Sequence, residues 1–99
     1  MYALDLLILR ALTGGPLHGY AITKWIRDAS ADALRIEEGS LYPALHRLED
    51  SGALKSEWKQ SGTGRKAKFY RLTAAGRRAL GEETSSWRAF VKAVEKVIS

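Results

Sequence analysis

The 99-residue chain has no cysteine, one methionine, two prolines and two histidines. Without cysteine there is no disulfide framework, no thiolate metal site and no thiol nucleophile, which fits a reducing, cytoplasmic setting. His18 and His46 lack a third ligand at suitable spacing, so no metal or other cofactor is expected. Long apolar runs are missing too. The stretch from Leu4 to Leu12 is interrupted by Asp5 and Arg10, falls well short of the ~20 residues that span a bilayer, and ends at Gly14-Gly15-Pro16. It has no basic segment ahead of it, so it reads as a buried helix and not a signal peptide, and no membrane partner is expected. There is no glycine-rich phosphate loop and no nucleophile motif. The carboxylates Glu37-Glu38, Glu49-Asp50 and Glu82-Glu83 read as solvated faces and helix-end charges, so an enzyme is not expected.

What the chain does have is a concentrated positive charge. The net charge is +5, yet residues 1–54 carry five Lys/Arg against seven Asp/Glu, residues 55–71 six against one, and residues 72–99 five against three. A basic stripe confined to one short stretch is an electrostatic footprint for a polyanion.

The stretch from Gly39 to Gly52 organises the rest. Leu41, Ala44, Leu45 and Leu48 recur at helical spacing and form one apolar stripe, while Pro43, His46, Arg47 and Asp50 fall on the opposite side. Ser40 is the expected N-cap, Pro43 a first-turn residue and Gly52 the left-handed stop. A helix presenting Ser, Tyr, His and Arg near its N-terminus suits a DNA major groove; the plainer reading is the solvated side of a core helix.

Tyr2 to Leu12 reads as a first helix, apolar nearly all round and in need of cover on most sides. After Gly14-Gly15-Pro16 a second helix is expected to open at Pro16-Leu17-His18, with Ile22, Trp25, Ile26 and Ala29 at core spacing. Ser30 to Ala33 is a connector, and Leu34-Arg35-Ile36 allows a short strand. From Ala53 to Gln60 the period becomes two, with Leu54 and Trp58 on one side; Ser61-Gly62-Thr63-Gly64 is turn chemistry, and Lys66 to Leu72 returns. Three helices followed by a basic hairpin give the predicted fold, an α+β and mainly α winged helix-turn-helix over residues 1–72. Thr73 then caps a last helix over residues 73–99, which forms one compact unit with the rest. Its stripe of Leu80, Thr84, Trp87, Val91, Val94 and Ile98, widened by Phe90 and Val97, is heptad-like. One domain would leave much of it wet, so the stripe is read as a dimerisation helix. The alternative is that the helix folds back on its own core.

Three segments carry a family resemblance: Leu17-His18-Gly19-Tyr20-Ala21-Ile22; Glu38 to Glu49 with Gly39-Ser40-Leu41-Tyr42-Pro43 at its start; and Arg65-Lys66-Ala67-Lys68-Phe69-Tyr70-Arg71-Leu72-Thr73 with Gly76. Together they resemble the PadR family of winged-helix transcriptional regulators, in its shorter bacterial form. The resemblance implies a cytoplasmic homodimeric repressor on a dyad-symmetric, double-stranded DNA operator. Carried over by motif, Tyr20 would contact a phosphate, Ser40, Tyr42, Pro43, His46 and Arg47 would be recognition-helix positions, and Arg65, Lys66 and Lys68 would form the wing. Ala67 interrupts a cationic run that many members keep unbroken. The dimer interface would comprise Leu4 and Ile8 of the first helix with Leu80, Trp87, Phe90, Val91, Val94 and Ile98 of the last. Trp87 lies where some members stack a flat, small aromatic effector; a packing role in the seam is the plainer reading.

Arg47 bears most on base choice. A bidentate contact to guanine would contribute ~1–3 kcal/mol of discrimination; a surface ion pair with Glu49, Asp50 or another neighbour would contribute ~0–1 kcal/mol. The competing function is a winged-helix module for protein–protein assembly whose basic hairpin is merely solvated.

Overall fold

The computed structural model describes residues 2–99. Helix α1 (Ala3–Ala11) is covered on most sides, as its apolar circumference requires: Ile8, Leu9 and Ala11 are buried, and Leu4 and Leu7 pack at the edge of the same core. A 3₁₀ turn over Leu12–Gly14 ends it, and Gly15 at φ +133 reverses the chain.

The second helix does not open at Pro16. Leu17–His18 instead form a two-residue strand, β1, and α2 (Gly19–Ala29) starts behind it with His18 as N-cap, its Nδ1 accepting from the Ala21 N–H at 3.2 Å. The reason is a tertiary pairing, Leu17 with Tyr70 and His18 with Phe69, that local pattern cannot register. Ile22 and Ile26 are buried as spaced, whereas Trp25 and Ala29 stay at the surface, with Trp25 37% exposed. Leu34-Arg35-Ile36 is not a strand either. Ala31 and Asp32 take positive φ, and the Ser30 hydroxyl accepts from the Leu34 N–H at 3.0 Å. With the Asp32 N–H donating to the Arg27 carbonyl and the Ala33 N–H to that of Ser30, this bond folds the connector onto the end of α2.

Helix α3 (Glu38–Asp50) starts two residues before Ser40, with Glu37 at the N-cap position. Pro43 therefore sits in the second turn and cannot supply the N–H that the Gly39 carbonyl would accept. The other end matches the sequence reading. Gly52 at φ +84 donates to the Glu49 carbonyl, and Ala53 donates to that of Leu48, both at 3.0 Å, which closes a Schellman motif.

Strands β2 (Leu54–Gln60) and β3 (Lys66–Leu72) form the hairpin, in register from Leu54 with Leu72 to Gln60 with Lys66, and the three-stranded antiparallel sheet runs β1-β3-β2. Gly64 at φ +84 and the Ser61 N–H to Arg65 carbonyl bond of 2.7 Å turn its tip. Thr73 caps α4 (Ala74–Ile98) by accepting from the Gly76 N–H at 3.0 Å, while its hydroxyl donates to the Gly52 carbonyl at 2.6 Å. That side chain ties the end of α3 to the start of α4.

The core joins Ile8, Leu9, Leu12, Ile22, Ile26, Leu41, Leu45 and Leu54. Helix α4 leans on it through Gly76, Ala79 and Leu80, then continues past it. One residue expected at a dimer face is thereby reassigned in role. Ile8 is 0% exposed within its own subunit and has no surface to offer a second one, a correction that follows from α1 being enclosed by α2, α3 and α4. Leu80 packs against the protomer's own core. Among the described residues, no helix is long and apolar enough to cross a membrane.

Candidate nucleic-acid interface

Side chains on an α-helix advance by about 100° per residue, so α3 has a crest and two flanks. Leu41, Ala44, Leu45 and Leu48 point inward and are buried. Gly39, Pro43, His46 and Asp50 hold the crest. Ser40 and Arg47 lie on the flank beside the N-terminal turn of α1, with Tyr2 and Leu4. Tyr42 and Glu49 lie on the other flank, toward α2 and the hairpin.

On that second flank the chain builds an open cleft of about 440 Å³ from α2, α3 and β2–β3. His18, Tyr20, Tyr42, His46, Trp58 and Lys68 line it. Three of these aromatics are wet: Tyr20 is 60% exposed, Tyr42 43% and Trp58 67%. Their places are set by packing beneath them. The His18 ring stacks near Tyr20, with centroids 6.5 Å apart, and meets the Phe69 ring edge-on at 5.2 Å. Gly19 lets Tyr42 come close, since a Cβ there would lie 2.8 Å from the Tyr42 hydroxyl. Because the His18 Nδ1 accepts the capping hydrogen bond, the neutral ring carries its proton on Nε2.

The hairpin register divides the basic stretch between two faces. Directly opposed residues share a face, so Gln60 with Lys66 and Trp58 with Lys68 extend the face that begins in the core at Leu54, Leu72 and Tyr70. Lys55, Lys59 and Arg71 are on the other. Lys68 is not a free charge: its Nζ lies 3.6 Å from Glu49 Oε1 and 5.7 Å from the centre of the Tyr70 ring. The Ser56 hydroxyl donates to the same Glu49 carboxylate. That hydrogen bond foremost, with Lys68 and His46 adding, holds the Glu49 carboxyl below its ordinary value against the opposing effect of partial burial. Burial, followed by the charge of Glu49, pushes the Tyr70 phenol up. Among the described residues Arg65 and Lys66 at the hairpin tip enter no ion pair, and neither do Lys55 and Arg71 on the other face.

Arg47 does not pair with Glu49 or Asp50. Its guanidinium donates to Asp5 Oδ1 at 2.8 Å and lies 4.7 Å above the centre of the Tyr2 ring. Asp5 is the charged residue within the core, 6% exposed. Sequence reasoning missed this partner, although an acidic residue in the middle of an otherwise apolar helix was the available signal. It did not single out Trp58 as a site residue, placing it only on the same side as Leu54; the face is the same, but β2 has run beyond the core by that point and Trp58 is exposed.

A separate cavity of about 340 Å³ lies between the first turn of α1 and the middle of α4. Tyr2, Leu6, Glu83, Ser86, Trp87 and Phe90 line it, and the Trp87 and Phe90 ring centres are 6.1 Å apart.

Known proteins share this fold. A transcriptional regulator of Mycobacterium tuberculosis is 41% identical over 81 residues, which cover 82% of this chain and 72% of that protein. The structure of a transcriptional regulator from Clostridium thermocellum superposes with a TM-score of 0.87 at 30% identity, covering 96% of this chain and 92% of that one. Bacillus subtilis PadR in complex with operator DNA superposes with a TM-score of 0.74 at 29% identity over 84% of this chain, and the match spans 47% of that longer chain. The PadR-like family of transcriptional regulators matches residues 8–82, from the core of α1 through the cleft and hairpin into α4, and the chain belongs to it.

Proposed function

We propose that the protein is a homodimeric, cytoplasmic repressor that binds a dyad-symmetric operator in double-stranded DNA. The observation that carries this reading is the aromatic cleft in which His46 of the α3 crest meets Trp58 and Lys68 of a hairpin whose tip bears the unpaired cations Arg65 and Lys66. Protein and duplex would meet in two ways. Arg65, Lys66, Lys68 and Tyr20 engage phosphates and supply sequence-independent affinity, while Ser40, Tyr42, Pro43 and His46 face base edges. The similarity to a PadR in complex with operator DNA supports duplex DNA as the partner. Titration with duplexes selected from a random pool, at several salt concentrations, tests it. Binding that weakens steeply with salt and keeps a sequence preference is the expected result; absence of duplex binding leaves a protein–protein assembly module.

Dimerisation would use what α4 leaves wet, namely Trp87, Phe90, Val91 and Ile98, at 45%, 59%, 39% and 70% exposure, together with Val94 and with Leu4 of α1. Sedimentation of the chain tests that. The cavity between α1 and α4 is the place for a small, flat aromatic effector, with Trp87 and Phe90 as its walls. Quenching of indole emission by planar aromatic compounds, abolished in Trp87→Leu, is the expected outcome, and an unchanged spectrum removes the effector from the reading.

A further inference from the structure

We infer that Asp5 is a positioning residue of the recognition surface: it withholds from the duplex Arg47, the one Arg or Lys of α3. This rests on the DNA-binding reading above and deepens it. Arg47 lies on the α1 flank of α3, off the crest held by Pro43, His46 and Asp50. Two groups from the first turn of α1 hold it there. The Asp5 carboxylate accepts from it at 2.8 Å, and the Tyr2 ring lies beneath the guanidinium at 4.7 Å. The side chains are unequally exposed, Asp5 at 8% and Arg47 at 45%. That asymmetry decides the outcome of a competition between Asp5 and a phosphate. A phosphate would offer Arg47 a partner in high-dielectric surroundings, but Asp5 would be left charged and unpaired in the core. Among the described residues, Arg47 is the one side-chain donor to the Asp5 carboxylate. The pair therefore stays closed when DNA docks. Base choice by α3 falls to Ser40, Tyr42, Pro43 and His46, and phosphate contact to the hairpin and Tyr20.

The test is the salt dependence of duplex binding in the double variant Asp5→Asn/Arg47→Gln, which removes one charge of each sign, keeps the net charge and allows an amide-to-amide hydrogen bond in place of the ion pair. A withheld Arg47 predicts the wild-type slope of log affinity against log salt and the wild-type sequence preference. A slope shallower by about 0.9, the contribution of one phosphate contact, or a relaxed preference at a guanine position, overturns the inference. The single variant Asp5→Asn supplies the opposite arm. Freed from its counter-ion, Arg47 reaches a phosphate, the slope steepens by about 0.9 and affinity rises for every duplex; an unchanged slope in this variant counts against withholding. If Asp5→Asn does not fold, the double variant decides alone. A wild-type chain that binds no duplex defeats the functional reading itself, a result distinct from wild-type binding that the variants alter in the wrong direction.

Discussion

Single atoms decide several features of this molecule. At Gly76 in the first turn of α4, a Cβ would lie 2.1 Å from the Ala53 carbonyl oxygen, a backbone atom that cannot swing aside. Gly76→Ala should therefore push α4 off the end of α3, costing roughly 1–3 kcal/mol and lowering the melting temperature by about 4 °C or more; calorimetry of the variant checks this. Gly76 was legible as a motif residue, but its purpose was not, because the obstructing oxygen belongs to a residue 23 positions earlier. Glu49 gives a pH prediction. Its carboxyl is held below the ordinary 4.5 by the Ser56 hydroxyl first and by Lys68 and His46 after it. A depressed folded-state value means that its contribution to stability is complete above the unfolded value and is lost as pH falls through the folded one. Denaturant unfolding between pH 7 and 3 should show this acid-dependent loss in the wild type, and a flatter acid limb in Glu49→Gln.

Among the elements, the hairpin combines two kinds of contact that the duplex will report separately. Arg65 and Lys66 are unpaired, and each replaced by Ala should weaken all duplexes alike and reduce the salt slope by about 0.9. Trp58 is uncharged and 67% exposed on the face shared with Lys68. Trp58→Ala should weaken duplex binding several-fold with the slope unchanged and, since the ring contributes little to the core, with the melting temperature preserved. A change in slope would show that the variant acts through the neighbouring Lys68. The hairpin was readable in the sequence because alternation and turn residues are local properties. Its division into two cationic faces was not, since that depends on which strand residue opposes which. β1 was hidden for a related reason. Two residues carry no periodicity, and Leu17 and His18 become a strand only because β3 runs beside them.

The whole molecule measures 51 × 29 × 23 Å, and the long dimension reflects α4, whose 25 residues amount to roughly 37 Å of helix. Trp87, Phe90, Val91, Val97 and Ile98 remain exposed along it, an apolar strip that one subunit does not cover. Val91→Asp should yield monomers by sedimentation and weaken operator binding, because two α3 helices about one DNA turn, roughly 34 Å, apart bind far better joined than separate. An unchanged sedimentation profile places the interface elsewhere. The sequence by itself determined the helices, the basic hairpin and the stop at Gly52, because hydrophobic period, turn chemistry and capping act over a few neighbouring residues. Only the tertiary structure decided that Ile8 is spent in the core, that Leu17-His18 closes a sheet and that Arg47 is held by Asp5. Each of those outcomes depends on residues far apart in the chain, and burial and charge pairing are settled by what lies across the gap between elements, which no local pattern records.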